Sequence, residues 1–255
     1  MVIDVPEVHS ELQHFPQLCE YFYEFNLKDS KVAKADVRKA IASLISVTNI
    51  VNNEIPAALP SSYFLPKAML NEQDSRWEPV FAEQLLAQNK IDERHPLHLN
   101  VLYDDVPLHV NIAQRLVGQL TQSDMLRVDA QPTNWQTLQM KRQKGDFQVI
   151  RSGWCADFNH PMAFLGLFYS KSPDNKNGYD NAEYDQLFEQ ALKSLNEKER
   201  SEIYLKLSEK IQQENLALPL FQYTTPVYIS PTIMGAKKNP VGVIYSKDLW
   251  RKVES

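Results

Sequence analysis

Between Arg151 and Asp157 the chain sets a cation, a glycine, a tryptophan, a cysteine and an acid, in the run Arg151-Ser-Gly-Trp-Cys-Ala-Asp-Phe-Asn-His-Pro161. Those types suit ligand capture. Asp157 offers a carboxylate to bury, Trp154 an aromatic wall, and Gly153 a backbone that a ligand can approach closely. Plainer roles exist for two of them: Asp157 as the cap of a helix starting near Pro161, and Trp154 as a core residue. The cluster Lys141-Arg142-Gln-Lys144 reads as a solvated helix end, where cations favour the helix dipole. His109 reads as a surface or half-buried structural residue.

Other chemistries find no support. Gly-x-Ser-x-Gly, His-Glu-x-x-His and a glycine-rich phosphate loop are all absent from the sequence. His95 and His98 stand three apart, with no obvious acid or thiol partner. We therefore expect no catalytic residue, no metal site and no cofactor. Cys19 and Cys155 form neither a zinc ribbon nor a Cys-x-x-Cys pair, and their spacing alone reads as two buried reduced thiols.

The elements that must position these residues alternate between strand and helix patterns. Leu18 to Phe25 is aromatic and strand-like, and Lys34 to Asn52 has apolar residues near helical spacing. A loop punctuated by Pro56, Pro60 and Pro66 follows. A helix is expected over Arg76 to Gln88 and a strand over His98 to Tyr103. Leu108, Ile112, Leu116 and Leu120 then recur every four residues, the stripe of an amphipathic helix. Next come a strand at Met125 to Ala130, a helix at Trp135 to Gln143 and a strand at Phe147 to Ile150, just ahead of the motif. Helices are expected at Ala182 to Ser194 and Lys198 to Gln213, the second with Asn196 and Glu199 in a capping arrangement. Leu216 to Tyr223, broken by Pro219, fits a strand near a sheet edge. The tail from Pro231, with Gly235, Pro240 and Gly242, reads as irregular. Strands separated by helices imply an α/β domain with a mixed sheet.

The 255 residues suffice for a substantial core, and 43% apolar with 23% charged residues is ordinary for a globular chain. A net charge of −5 and a pI near 5.7 argue against a nucleic-acid partner. No run of 18 apolar residues encodes a membrane span. The first residues lack the basic and apolar regions of a signal peptide, so the chain as written is expected to stay where it is made.

From about Phe15 to Trp250 the chain resembles the second half of the extracytoplasmic oligopeptide-binding proteins, the solute receptors of ATP-driven peptide importers. The resemblance rests chiefly on residues 151–161. It is supported by Leu18-Cys-Glu-Tyr-Phe-Tyr-Glu-Phe-Asn26, Asp36-Val-Arg-Lys-Ala-Ile41, Asn177-Gly-Tyr-Asp-Asn181, Tyr184, Arg200 to Tyr204 and Ala217-Leu-Pro-Leu-Phe-Gln-Tyr223. It implies an α/β fold with a mixed sheet flanked by helices, one lobe of a two-lobe periplasmic binding protein (type II, cluster C). Residues 1–16 would be a hinge or other-lobe remnant, 17–225 the C-terminal peptide-binding lobe, and 226–255 a return segment packing on the absent N-terminal lobe.

The resemblance also implies roles. Cys19 and Cys155 would be disulfide-bonded, and Asp157 would take the α-ammonium of a bound peptide. Gly153 and Cys155 would act through their backbones as an extended peptide pairs with the strand edge. Trp154 would wall a pocket. Arg151, Arg142 and His109 match positions that meet the peptide carboxylate at different peptide lengths. A lysine that can serve as another carboxylate partner has no counterpart in Asn52-Asn-Glu-Ile-Pro56, and that segment is about ten residues shorter than in close relatives, which leaves the preferred length open. Implied partners are short peptides and a membrane permease. The implied setting is periplasmic, with a cytoplasmic or truncated product as the alternative. Murein peptides, or a sensory lobe without a transport role, are the alternative functions. A lone lobe offers half a clamp and is expected to bind peptide at millimolar level or not at all.

Overall fold

The computed structural model describes residues 12–69, 81–237, 239 and 243–252. Its centre is a six-stranded mixed sheet built on β1 (Gln13–Phe25), which runs between β5 (Val149–Cys155) and β6 (Ala217–Val227), antiparallel to both. Beyond β5 come β3 (Leu97–Asp104) and β4 (Leu126–Thr133), all three parallel. The two-residue β2 (Leu59–Pro60) closes the other edge on Phe221 and Gln222. Because β2 is so short, Pro219 lies where the outer side of β6 is bare, and its missing N–H costs no ladder bond there. The same logic admits Pro132 on edge strand β4.

Alternation along β1 builds two cores. Tyr21, Tyr23 and Phe25 face the helices α1 (Ala35–Ser43), α2 (Val47–Glu54), α3 (Ala82–Gln88) and α4 (Pro107–Leu120). Leu18 and Phe22 face α6 (Met162–Leu165), α7 (Ala182–Lys193) and α8 (Glu197–Gln213). On that second side α5 (Trp135–Lys144) packs Leu138 against Leu102 and Ile150. Helices thus cover both faces. Buried Arg38 on α1 donates to the carbonyls of Val32, Ala33, Glu214 and Asn215, stitching α1 to the end of α8.

Several expectations shift. The single helix over 34–52 is two, because Ser46 caps α2 by accepting from the Asn49 N–H at 3.4 Å. The strand before the motif instead contains its first half: β5 runs through Arg151–Cys155, held by seven residue pairs with β1. The helix over 76–88 begins at Ala82, and residues 76–80 lie outside the described set. The tail is less irregular than read, since β7 (Ile233–Met234) pairs with β8 (Trp250–Arg251); Pro240 and Gly242 lie outside the described residues.

Asn196 caps α8, accepting from the N–H groups of Lys198 and Glu199, but Glu199 turns to Ser194 and Gln190 instead of closing a capping box. Asn181 caps α7 in the same way. Asn181→Ala is expected to lower stability by about 1 kcal/mol in urea denaturation. Among the described residues no helix is long and apolar enough to cross a membrane.

Candidate functional site

The parallel strands β3, β4 and β5 and the strand β6 all end on one side of the sheet, where β1 begins. In open α/β sheets ligands bind outside those carboxyl ends. The motif sits there. Cys155 ends β5 directly opposite Cys19 of β1, and the two are joined by a disulfide across a Cα separation of 4.0 Å. The thiol reading is thereby replaced, because register puts the two side chains face to face.

Gly153 is exposed, and a Cβ on it would stand 3.3 Å from the Glu20 carbonyl, so β1 approaches closely at this point. Trp154 is half-buried. Its indole N–H donates to the Ala163 carbonyl at 2.8 Å, locking the ring over the start of α6. Asp157 lies in a bend two residues past the disulfide and is exposed, without a hydrogen bond or ion pair to any described residue. It does not cap α6, whose N-cap is Pro161 with no side-chain bond. It is not buried within this lobe either, as a ligand carboxylate was expected to be.

Arg151 and His109 are brought together, around an acid that the sequence did not single out. Arg151 is 8% exposed. Its NH1 group donates to Asp104 Oδ2 at 3.3 Å, and NH2 meets His109 Nε2 at 3.0 Å and the Tyr223 hydroxyl at 3.5 Å. His109 Nδ1 closes the triangle on Asp104 Oδ1. The guanidinium also lies 4.8 Å from the centre of the Tyr21 ring and 5.9 Å from that of Trp135. Burial, then the charge of Arg151, holds the His109 imidazole below its ordinary range, partly offset by Asp104.

Arg142 stands apart. It is no solvated helix end, because its Nε and NH2 both donate to Oε1 of buried Glu24, at 2.9 and 2.5 Å. Lys141 pairs more loosely with Asp146 at 3.3 Å. Arg142 and Arg151 are therefore both neutralised from within. A groove of about 760 Å³ between α1, the 62–64 loop, α8 and the start of β6 shares no residue with this site.

Residues 3–176 match the model of the bacterial extracellular solute-binding proteins, family 5 (middle region). The chain belongs to this family. A Haemophilus influenzae protein described only as a binding protein is 60% identical over the whole chain, which covers 49% of that protein. The periplasmic oligopeptide-binding protein OppA of Salmonella typhimurium is 29% identical over 96% of this chain and 47% of its own length. Among solved structures, the unliganded open form of the periplasmic murein tripeptide binding protein MppA superposes with a TM-score of 0.88 at 27% identity, covering 97% of this chain and 50% of that one. This family 5 chain thus spans about half the length of the relatives it matches, and its mixed sheet flanked by helices is that of the family.

Residue types and spacing alone do not mark Asp104, Glu24, Tyr21, Tyr223 and Trp135 as partners of these cations. A signal existed for two of them. Asp104 falls at a strand-to-helix turn five residues before His109, and Glu24 is an acid inside an aromatic strand. The downstream signature of the family serves architecture. Asn177 donates to the Leu216 carbonyl, Asn181 caps α7, and Tyr184 donates to the Leu165 carbonyl.

Proposed function

We propose that this chain is the peptide-holding lobe of a solute receptor, with Asp157 receiving the α-ammonium of a short peptide laid along the end of β5. The supporting observation is a contrast among charged residues. Arg151, Arg142 and His109 are each engaged by an acid of the same lobe, whereas Asp157 has no partner among the described residues. A carboxylate exposed at the strand ends, three residues past Trp154 and next to Phe158, which is more than half exposed, awaits both a counter-ion and a cover. A second lobe closing on the ligand would supply the cover. The tail from 226 carries exposed Tyr228, Tyr245, Leu249 and Trp250, which suits a return segment packing on that lobe. Gly153, Trp154 and Cys155 would hold the peptide backbone and one side chain, and delivery to a membrane permease from the periplasm follows from the same reading.

In a two-lobe protein containing this chain, calorimetry should show binding of short peptides that falls about 100-fold or more on N-acetylation, or in Asp157→Asn. Equal affinity for free and acetylated peptides would remove Asp157 from the role. That result would favour the second reading, a murein-type peptide whose amino terminus lies elsewhere, which the likeness to MppA supports. Micromolar binding by the lone chain would contradict the two-wall picture.

A further inference from the structure

We propose that Asp104 is a positioning and specificity-determining residue. It cancels the charge of Arg151 and fixes His109, so that this part of the site accepts a neutral carbonyl or amide of the ligand and does not select a free carboxylate. The inference rests on the peptide reading above and deepens it.

The three side chains form a closed ring: Asp104 Oδ1 to His109 Nδ1, His109 Nε2 to Arg151, and Arg151 back to Asp104 Oδ2. A guanidinium only donates, so His109 Nε2 must be the acceptor there. The imidazole proton then sits on Nδ1 and donates to Asp104. Asp104 thereby uses both oxygens, one on each basic residue, at 1% exposure. The groups facing His109 are Asp104 from β3, Arg151 from β5 and Tyr21 from β1, whose ring centre is 5.4 Å away; Tyr223 of β6 stands behind Arg151. None of these adds a second positive charge.

A ligand carboxylate arriving at Arg151 meets a cation already paired and an acid that cannot leave. Stripping a buried carboxylate of its partner costs several kcal/mol, so Asp104 holds its place and repels the newcomer. An amide or a passing peptide carbonyl carries no net charge and can share the donors Arg151 retains. The rings of Tyr21 and Trp135, with centres 4.8 and 5.9 Å from the guanidinium carbon, further crowd the approach to Arg151.

The test uses peptides of two to five residues, each made as the C-terminal acid and as the amide, on the two-lobe protein. Every acid–amide pair should bind within about threefold of each other, and Asp104→Asn should raise the preference for the acid about tenfold or more at the one length that reaches Arg151. A parent protein that already prefers acids tenfold, with the preference lost in Arg151→Gln, would overturn the proposal. So would equal weakening of acid and amide in Asp104→Asn. Nitrogen NMR of labelled histidine in the 255-residue chain adds a readout that needs no ligand and no variant. His109 should appear as the neutral Nδ1–H tautomer at pH 7, and the Nε2–H tautomer would refute the ring. If no peptide binds in either form, the peptide reading fails with its specificity, while the histidine spectrum still decides whether Asp104 positions His109.

Discussion

At pH 8, Glu20→Gln is expected to be more stable than the parent chain by several kcal/mol, at most about 5, with the two converging as the pH falls toward 4.5. Glu20 lies on central strand β1, across from Trp154 on one side and Gln222 on the other, at 0% exposure. Neither carboxyl oxygen has a hydrogen-bond partner among the described residues. Burial alone pushes its pKa up to about 9. In the unfolded chain the same group titrates near 4.5, so between these values the unfolded state releases a proton that the folded state keeps. Stability is therefore fully present below pH 4.5 and declines as pH rises toward 9, by about 1.4 kcal/mol per pH unit from this group. Glutamine has nearly the same shape and cannot ionise, so that slope disappears. Urea midpoints measured every half unit for both chains check it, and parallel curves across the range would show that Glu20 is not protonated in the fold.

Glu20 also shows where reading from residues stops. Strand and helix order followed from period and punctuation, and most boundaries fell within a few residues. The errors were local and physical. Ser46 offered a cap that split a helix pattern, and β5 extended through Gly153 because β1 supplied its partners out to Cys155. The contiguous part of the candidate site could be proposed from the sequence because Gly153, Trp154, Cys155 and Asp157 are neighbours in it. The charge pairing could not, since Asp104 meets Arg151 across 47 residues and Glu24 meets Arg142 across 118. Single acids in strands carry no spacing signal for such partners. The motif marked cations as free to meet a ligand, and only the folded arrangement reveals that two of them are already answered.

Cys19→Ser with Cys155→Ser, or simple reduction, is expected to lower stability by about 2–5 kcal/mol. The bridge closes a separation of 136 residues, most of the chain, so in the loop-entropy account its main effect is to restrict the unfolded ensemble. Little packing is lost on its removal, because Cys155 is exposed and Cys19 only half-buried. The ladder of β1 and β5 would remain, but its outermost pair would no longer be tied. The consequence reaches the site, since Trp154 and Asp157 flank Cys155 and the Ala156 N–H donates to the Leu18 carbonyl at 2.8 Å just beyond it. In the reduced chain, hydrogen exchange should quicken first at residues 153–157, while Tyr21 and Tyr23, deep in the same pairing, keep their protection until global unfolding. Uniform loss of protection along β1 and β5 would mean that the bridge holds the whole ladder together. Exchange confined to the strand end would mean that it serves the geometry of the acid and the tryptophan beside it.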